Sequence, residues 1–135
     1  MRSGLVLVAV FVLGLAVGAV AERGAVADSR PPVKVENLMR AGLQVSGELE
    51  VVMSLVEIGP GASLPKHYHP GEEFIYVIEG ESTVWQEGKS DTVLSAGNAF
   101  HIELEQVHSA MTGSQSTKAI VFRVHRKGMP DRIPQ

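Results

Sequence analysis

From Val33 onward, short apolar runs with partial alternation of hydrophobic and polar residues are separated by turn residues, a pattern typical of β-strands. Leu49 to Ile58 is rich in β-branched residues, lies between glycines and predicts one strand. Further strands are predicted at residues 74–78, 82–85, 91–94, 99–103, 108–111 and 118–124. Turn signals recur about every 8–12 residues, as expected of a sandwich or a small barrel. No segment after residue 30 keeps a helical period over three turns, so the chain is predicted to be all-β.

Two turns within this pattern decide how the strands pair. Glu79-Gly80-Glu81 predicts a hairpin, after which residues 82–85 return beside residues 74–78. Gln86 to Lys89 predicts the next turn. Four large side chains are predicted to lie in the core: Met53, Tyr76, Trp85 and Phe122. A pocket wall is the alternative for the tyrosine and the tryptophan.

The N-terminal residues have the order of a secretory signal peptide. A basic Arg2 precedes an uncharged apolar run from Leu5 to Val20, and Ala-x-Ala sites end at Ala21 and Ala27. An uncleaved membrane anchor is the alternative, although the run is short for a spanning helix, which needs about 20 apolar residues. The pattern predicts export from a bacterial cell, to the periplasm or beyond. The predicted organisation is a signal peptide at 1–27, a linker at 28–32, a β-domain at 33–126 and a tail at 127–135 that lies along the surface or frays.

Composition excludes several kinds of function. The chain has 12 Lys and Arg against 15 Asp and Glu, and without the predicted signal peptide it stays mildly acidic. It has no basic patch of the kind that binds nucleic acid. It also has no cysteine, which excludes disulfides, thiolate metal ligands and a cysteine nucleophile. A membrane partner is expected only if the signal segment is not cleaved.

One short segment predicts a metal site. If His67 and His69 lie on a strand, both imidazoles point to the same face, because side chains alternate with a period of two. Glu73 follows a Pro-Gly turn and can approach that face. Two nitrogens and one oxygen suit a divalent transition metal, and His108 is the candidate for a fourth ligand.

The spacing Gly61-x5-His67-x-His69-x3-Glu73-x6-Gly80 resembles the first signature of the cupins. The cupins are antiparallel β-barrels of the double-stranded β-helix, or jelly-roll, type. The resemblance therefore implies that residues 33–126 form such a barrel.

The second cupin signature, Gly-x5-Pro-x-Gly-x2-His-x3-Asn, is present only in part. The chain has Gly97-x5-Glu103-x-Glu105-x2-His108-x3-Thr112, so the internal proline and glycine are glutamates and the final asparagine is a threonine. This difference predicts another shape for the loop before His108. It also places Glu103 and Glu105 near the barrel mouth, as speculative proton carriers or as solvated carboxylates.

The resemblance implies that His67, His69, Glu73 and His108 bind iron, manganese, zinc, nickel or copper, with positions left open for a ligand. Such sites are similar to those of dioxygenases, oxalate-degrading enzymes and isomerases. The expected function is therefore a dioxygenase-like oxidoreductase or an isomerase acting on a small oxygen-bearing molecule. A non-catalytic module that binds or senses a small ligand is the alternative, and a purely structural metal is a third. The resemblance also implies a homodimer, formed through edge strands or an exchanged N-terminal strand.

The other two histidines are predicted to lie outside the site. His101 is expected to face outward, because Phe100 and Ile102 on either side of it fill the core. His125 is expected to be exposed beside Arg123 and other cations near the end of the last strand.

Overall fold

A computed structural model describes residues 32–135, so the predicted signal peptide and most of the predicted linker lie outside the described residues. The strands of the described part are β1 Val33–Gly42, β2 Leu49–Ile58, β3 His67–Tyr68, β4 Gly71–Gln86, β5 Thr92–Ser95, β6 Ala99–Ile102, β7 His108–Met111, β8 Thr117–Arg126 and β9 Ile133–Pro134. The all-β prediction is confirmed. Between residues 32 and 135 there is no helix long and apolar enough to cross a membrane.

The strands pair antiparallel in the order β1-β2-β8-β4-β7-β3-β9, and β5 and β6 also pair with β4. Strand β4 belongs to two sheets. Its first half pairs with β8 and β6, and its second half pairs with β7 and β5. The long central strand therefore joins two sheets that curl around a common interior.

The predicted hairpin at Glu79-Gly80-Glu81 is wrong, because the chain continues through this point as one strand. Gly80 has φ 72°, and the β4–β8 register shifts between Val77 and Glu79. A left-handed glycine at a bulge bends the strand from one sheet into the other without ending it. The turn predicted after Gln86 is confirmed, with the Lys89 amide donating to the Gln86 carbonyl at 3.2 Å.

The core lies between the inward faces of the two sheets and consists of two apolar clusters that share the half-buried Ile75. The buried members of these clusters are Val56, Ile58, Val77, Val84, Leu94, Ile102 and Val121. The core prediction for Tyr76 is wrong: its side chain is 52% exposed. Met53, Phe122 and Trp85 are half-buried, and Lys66 Nζ lies 3.9 Å from the Trp85 ring centroid. Strand β4 carries apolar residues on both faces, so alternation could not show which face is inward.

The C-terminal tail is held in place. Strand β9 pairs with the two-residue β3, with Ile133 opposite Tyr68 and Pro134 opposite His67. The Gln135 amide also donates to the Lys66 carbonyl at 3.1 Å. These bonds satisfy backbone groups that β3 would otherwise present unpaired on that side.

Candidate metal centre

Three histidines from two strands meet inside the barrel. His67 begins β3, His69 directly follows it, and His108 begins β7 opposite His67 in the register. All three are buried, and ring nitrogens of the three lie within 4.8 Å of one another. The closest ring centroids, those of His67 and His108, are 4.3 Å apart. The period-two spacing of His67 and His69 produces this meeting. It turns both rings to the same face of the sheet, the face on which His108 of the neighbouring β7 also lies.

Glu73 lies against the same cluster. It is an inward residue near the start of β4 and is buried. Its Oε2 atom is 2.7 Å from His69 Nε2, and its Oε1 atom is 3.7 Å from His108 Nε2. The structure therefore brings together all four residues singled out from the sequence.

Each of the three imidazoles is oriented by a backbone carbonyl. His67 Nδ1 donates to the Pro65 carbonyl at 2.7 Å, and His108 Nδ1 donates to the Gln106 carbonyl at 2.8 Å. His69 Nδ1 donates to the Asp131 carbonyl at 2.5 Å, so the C-terminal segment helps to position it. A carbonyl can only accept, so Nδ1 carries a proton in each ring. In His67 and His108, Nε2 then keeps its lone pair when the ring is neutral. Histidines that bind metals typically donate their other ring N–H to a carbonyl or carboxylate in this way.

The protonation states also suit a metal. Burial lowers the pKa of His67 to about 4, and burial lowers the pKa of His108 as well. Burial acts to raise the pKa of Glu73, but the His69 hydrogen bond and the nearby charges of His69, His108 and Arg123 lower it overall. Burial thus favours the neutral, metal-binding form of His67 and His108, and the contacts of Glu73 favour its ionised form.

The stability of the metal-free protein is expected to fall as the pH is lowered from about 6.5 to about 4. Over this range His67 takes up a proton in the unfolded chain but stays neutral in the folded protein. The unfolded state then binds more protons, so this group removes up to about 1.4 kcal/mol of unfolding free energy per pH unit. Urea unfolding of chelator-treated protein across the range measures the slope. His67→Gln should flatten it and His101→Gln should not; equal slopes in the two variants would contradict the assignment.

The four residues line a cavity of about 300 Å³. Inward residues on neighbouring strands change from polar to apolar in the same direction. On β2 the inward residue Ser54 is succeeded by the next inward residue, Val56. On the antiparallel β8 the inward residue Arg123 is preceded by the inward residue Val121. The polar end also includes Asn37, Asp131 and Arg132, and the apolar wall includes Ile58, Leu64, Ile75, Val84, Leu94, Ile102, Ala110 and Ala119. A small molecule in the cavity would meet charge at one end and hydrocarbon at the other.

The two speculative proton carriers lie away from this cavity. Glu103 is exposed and pairs with Lys89 at 2.8 Å, which lowers the pKa of its carboxyl group. Glu105 is exposed with φ 56°. Neither residue lines the cavity. His101 faces outward as predicted: its ring stacks on Phe74, and its Nε2 atom lies 3.1 Å from a Glu72 oxygen.

The prediction that His125 is exposed is wrong. It is only 1% exposed, and its Nδ1 donates to the Arg126 carbonyl at 3.0 Å. Strand β8 alternates strictly, so His125 shares the inward face with Arg123 and Val121. The charged residues that follow His125 concealed this alternation.

Sequence reasoning also missed Arg123, Asp131 and Arg132 as cavity residues. A signal existed for Arg123, because it lies two residues from Val121 on a strand whose alternate positions are apolar. No comparable signal marked Asp131 or Arg132, which reach the cavity only because β9 pairs with β3.

Comparison with known proteins identifies the architecture. A family model described as "Cupin domain" matches residues 54–123, about half of the chain. An RmlC-like cupin family protein with a double-stranded β-helix fold, from Methanocaldococcus jannaschii, is 20% identical with a TM-score of 0.58, over 67% of this chain and 78% of that one. The predicted jelly-roll fold is thus confirmed. No curated protein matches the sequence.

Two similar structures are those of enzymes. The polyketide cyclase RemF from Streptomyces resistomycificus is 24% identical with a TM-score of 0.59, over 76% of this chain and 70% of that one. The DMSP lyase DddQ from Ruegeria pomeroyi DSS-3 is 22% identical with a TM-score of 0.58, over 67% of this chain. The match spans only 44% of that lyase. At these identities the likeness shows the fold alone.

Proposed function

The chain belongs to the cupin family, and from that premise we propose that it is an exported metalloenzyme acting on a small oxygen-bearing molecule. His67, His69, Glu73 and His108 would hold a divalent transition metal. The reaction would be a dioxygenase-like oxidation or an isomerisation. Export is proposed from the order of basic, apolar and small residues in residues 1–27.

The observation that carries the proposal is the convergence of three buried imidazoles, each held through Nδ1 by a carbonyl, beside a buried carboxylate. Burying four such groups costs free energy unless partners offset it, and a bound metal ion would be such a partner. Three nitrogens and one oxygen fit iron, manganese, zinc, nickel or copper. A bound ion would supply Lewis acidity or redox chemistry to a ligand beside it.

The remaining cavity residues would hold and shield the ligand. The apolar wall excludes water, and the cationic and amide groups at the polar end orient an oxygen-bearing molecule toward the cluster. A cavity beside the cluster favours a functional metal over a purely structural one.

A second candidate is a module that binds a small ligand without catalysis. The positions of Glu103 and Glu105 favour it, because neither can reach a molecule in the cavity from the exposed surface. Within residues 32–135, the carboxylates that line the cavity are those of Glu73 and Asp131. Proton transfer would therefore fall to a metal ligand or to Asp131.

The test begins by identifying the metal in the purified protein by elemental analysis. Oxygen uptake and NMR-detected isomerisation are then measured on a panel of phenolic and small carboxylate compounds. We expect turnover that is lost with chelator and in Glu73→Gln, and retained in His101→Gln as the matched control. Stoichiometric metal without turnover on any compound would favour the binding module. A protein that takes up no divalent metal would overturn both.

A further inference from the structure

One of the two sheets is apolar on its outward side as well as toward the core. Strands β1, β2, β8 and β6 and the first half of β4 pair in the order β1-β2-β8-β4-β6. On the three central strands the outward side chains stand opposite one another in two rows. The first row consists of Met53, Phe122 and Phe74, and the second of Leu55, Ile120 and Tyr76. The surface that these six side chains form is called the outer face below.

The outer face is unusual for a sheet that meets water. An antiparallel sheet with one solvated side normally alternates apolar and polar residues, and strands that are apolar on both sides are typical of sheets buried on both sides. With residues 32–135 in place, Phe74 is still 40% exposed and Tyr76 is 52% exposed. Ile78, the next outward residue of β4, is 40% exposed. The outer face is therefore expected to be covered in solution.

The size of this surface suits a protein interface. Neighbouring strands lie about 4.8 Å apart, so a row across five strands is about 20 Å long, and successive rows are about 7 Å apart. A third row is added by Val51 and Val124, which stand opposite each other on β2 and β8. The three rows then cover about 400 Å². That area matches the apolar centre of a standard interface, which buries about 800 Å² on each partner and has a polar rim.

The charges around the outer face favour a second copy of the chain as its partner. Lys118 and Glu57 pair at 3.5 Å near one end of the rows, and His101 and Glu72 lie 3.1 Å apart near the other. The two rows themselves contain no charged side chain. Such a surface has no charge to attract a strongly acidic or basic partner, and it does not repel an identical surface.

The free edge of β1 is less suitable for self-association, although the family resemblance implied edge strands. Its pairing with β2 is interrupted by a bulge between Asn37 and Met39. Lys34, Glu36 and Arg40 add exposed charged side chains along the same strand. Bulges and charged residues are the features by which natural edge strands avoid pairing with another chain.

We infer that two copies of the chain pack their outer faces together about a two-fold axis close to Phe122, which lies on the middle strand of the five. A two-fold axis brings the same surface of both copies together, so each row of one copy meets a row of the other. Phe74 and Tyr76 of both copies then become buried, and the sheets pack with their strands nearly aligned. The inference goes beyond the proposed function, because neither the cavity nor the candidate metal cluster takes part in this contact.

The first test is the mass of the protein in solution. The full chain is expressed, mass spectrometry gives the mass of the form recovered, and light scattering after size-exclusion chromatography gives the mass of the assembly. We expect twice the mass of the recovered chain. Tyr76→Glu should weaken the association by about thirtyfold or more, the effect of losing a central aromatic residue of an interface. Val93→Glu is the matched control, because Val93 is 56% exposed on β5 of the other sheet; it should leave the dimer intact.

A second test keeps the face apolar and does not depend on the folding of the glutamate variant. The chain has no cysteine, so the single thiol of Tyr76→Cys can be labelled with a maleimide without background. Its labelling rate should fall as the protein concentration is raised, whereas that of Val93→Cys should not change. Protection that is independent of concentration would assign the outer face to residues 1–31 of the same chain and overturn the inference. A recovered chain that stays monomeric, or a dimer that Tyr76→Glu leaves intact, would overturn it as well.

Discussion

Replacing His108 with alanine is expected to lower the affinity for a divalent metal by at least about a hundredfold. Even the loss of a residue that only hydrogen-bonds a metal ligand typically costs about 10- to 100-fold in metal affinity, and His108 would be a direct ligand. Its ring lies 4.3 Å from that of His67 and faces Glu73 through Nε2. The two remaining imidazoles and one carboxylate would form an incomplete site.

The loss should also appear in stability. A ligand that binds only the folded state, at 100 times its dissociation constant, stabilises the protein by about 2.7 kcal/mol. At the same metal concentration, a hundredfold weaker site would provide about 0.4 kcal/mol. Chemical denaturation with and without metal measures both values.

His101→Ala is the matched control, because His101 lies on neighbouring β6 but points outward to Glu72 and Phe74. It should keep the full metal-induced stabilisation. If His108→Ala kept it as well, the fourth ligand position would be assigned wrongly. Such a result would also indicate that the partial second signature is not part of the metal site.

Replacing Gly80 with alanine is expected to destabilise the fold by about 3 kcal/mol or more. Gly80 has φ 72°, a left-handed conformation that costs other residues about 1–2 kcal/mol. A Cβ atom at this position would also lie 1.9 Å from the Ser116 carbonyl oxygen. Relief would require a backbone shift where β4 and β8 pair, and overpacking of this kind typically costs about 1–3 kcal/mol.

Gly88 provides a matched control for the backbone conformation. Its φ is 73°, nearly that of Gly80, but no atom lies within 4 Å of the position that a Cβ would take. Gly88→Ala should therefore cost only the conformational penalty. Urea denaturation of both variants isolates the crowding as the difference between them. Equal losses of unfolding free energy in the two variants would show that the β4–β8 pairing at Gly80 tolerates a side chain.

The bounds of β2 and β7 follow from the sequence, because glycines or turn residues isolate each run and β-branched residues mark β2. The continuity of β4 does not follow from it. Glu79-Gly80-Glu81 has the composition of a turn, and only the pairing with β8 shows that Gly80 bends a strand instead of ending it. Local composition therefore predicts a change in chain direction at Gly80, but it does not show which strand pairs with the residues on either side.

Some residues of the candidate site could likewise be predicted from the sequence, and others could not. His67, His69 and Glu73 are close in the chain, so their spacing alone brings them to one face. His108 was named as the candidate fourth ligand from the residues and from the family resemblance, but its place beside the other three depends on the register of β7 against β3. Asp131, whose carbonyl orients His69, comes from a tail with no pattern of its own. Its position is a result of tertiary pairing, which the local sequence does not encode.

The continuous β4 strand has a consequence for how the barrel opens. Because Gly71–Gln86 carries hydrogen bonds in both sheets, separating the sheets would break bonds along the whole strand. The two halves should therefore behave as one cooperative unit, and the central amides of β4 should exchange with solvent only through global unfolding. The short segments around β3 and β9 carry few backbone bonds and should exchange with solvent sooner, through local opening.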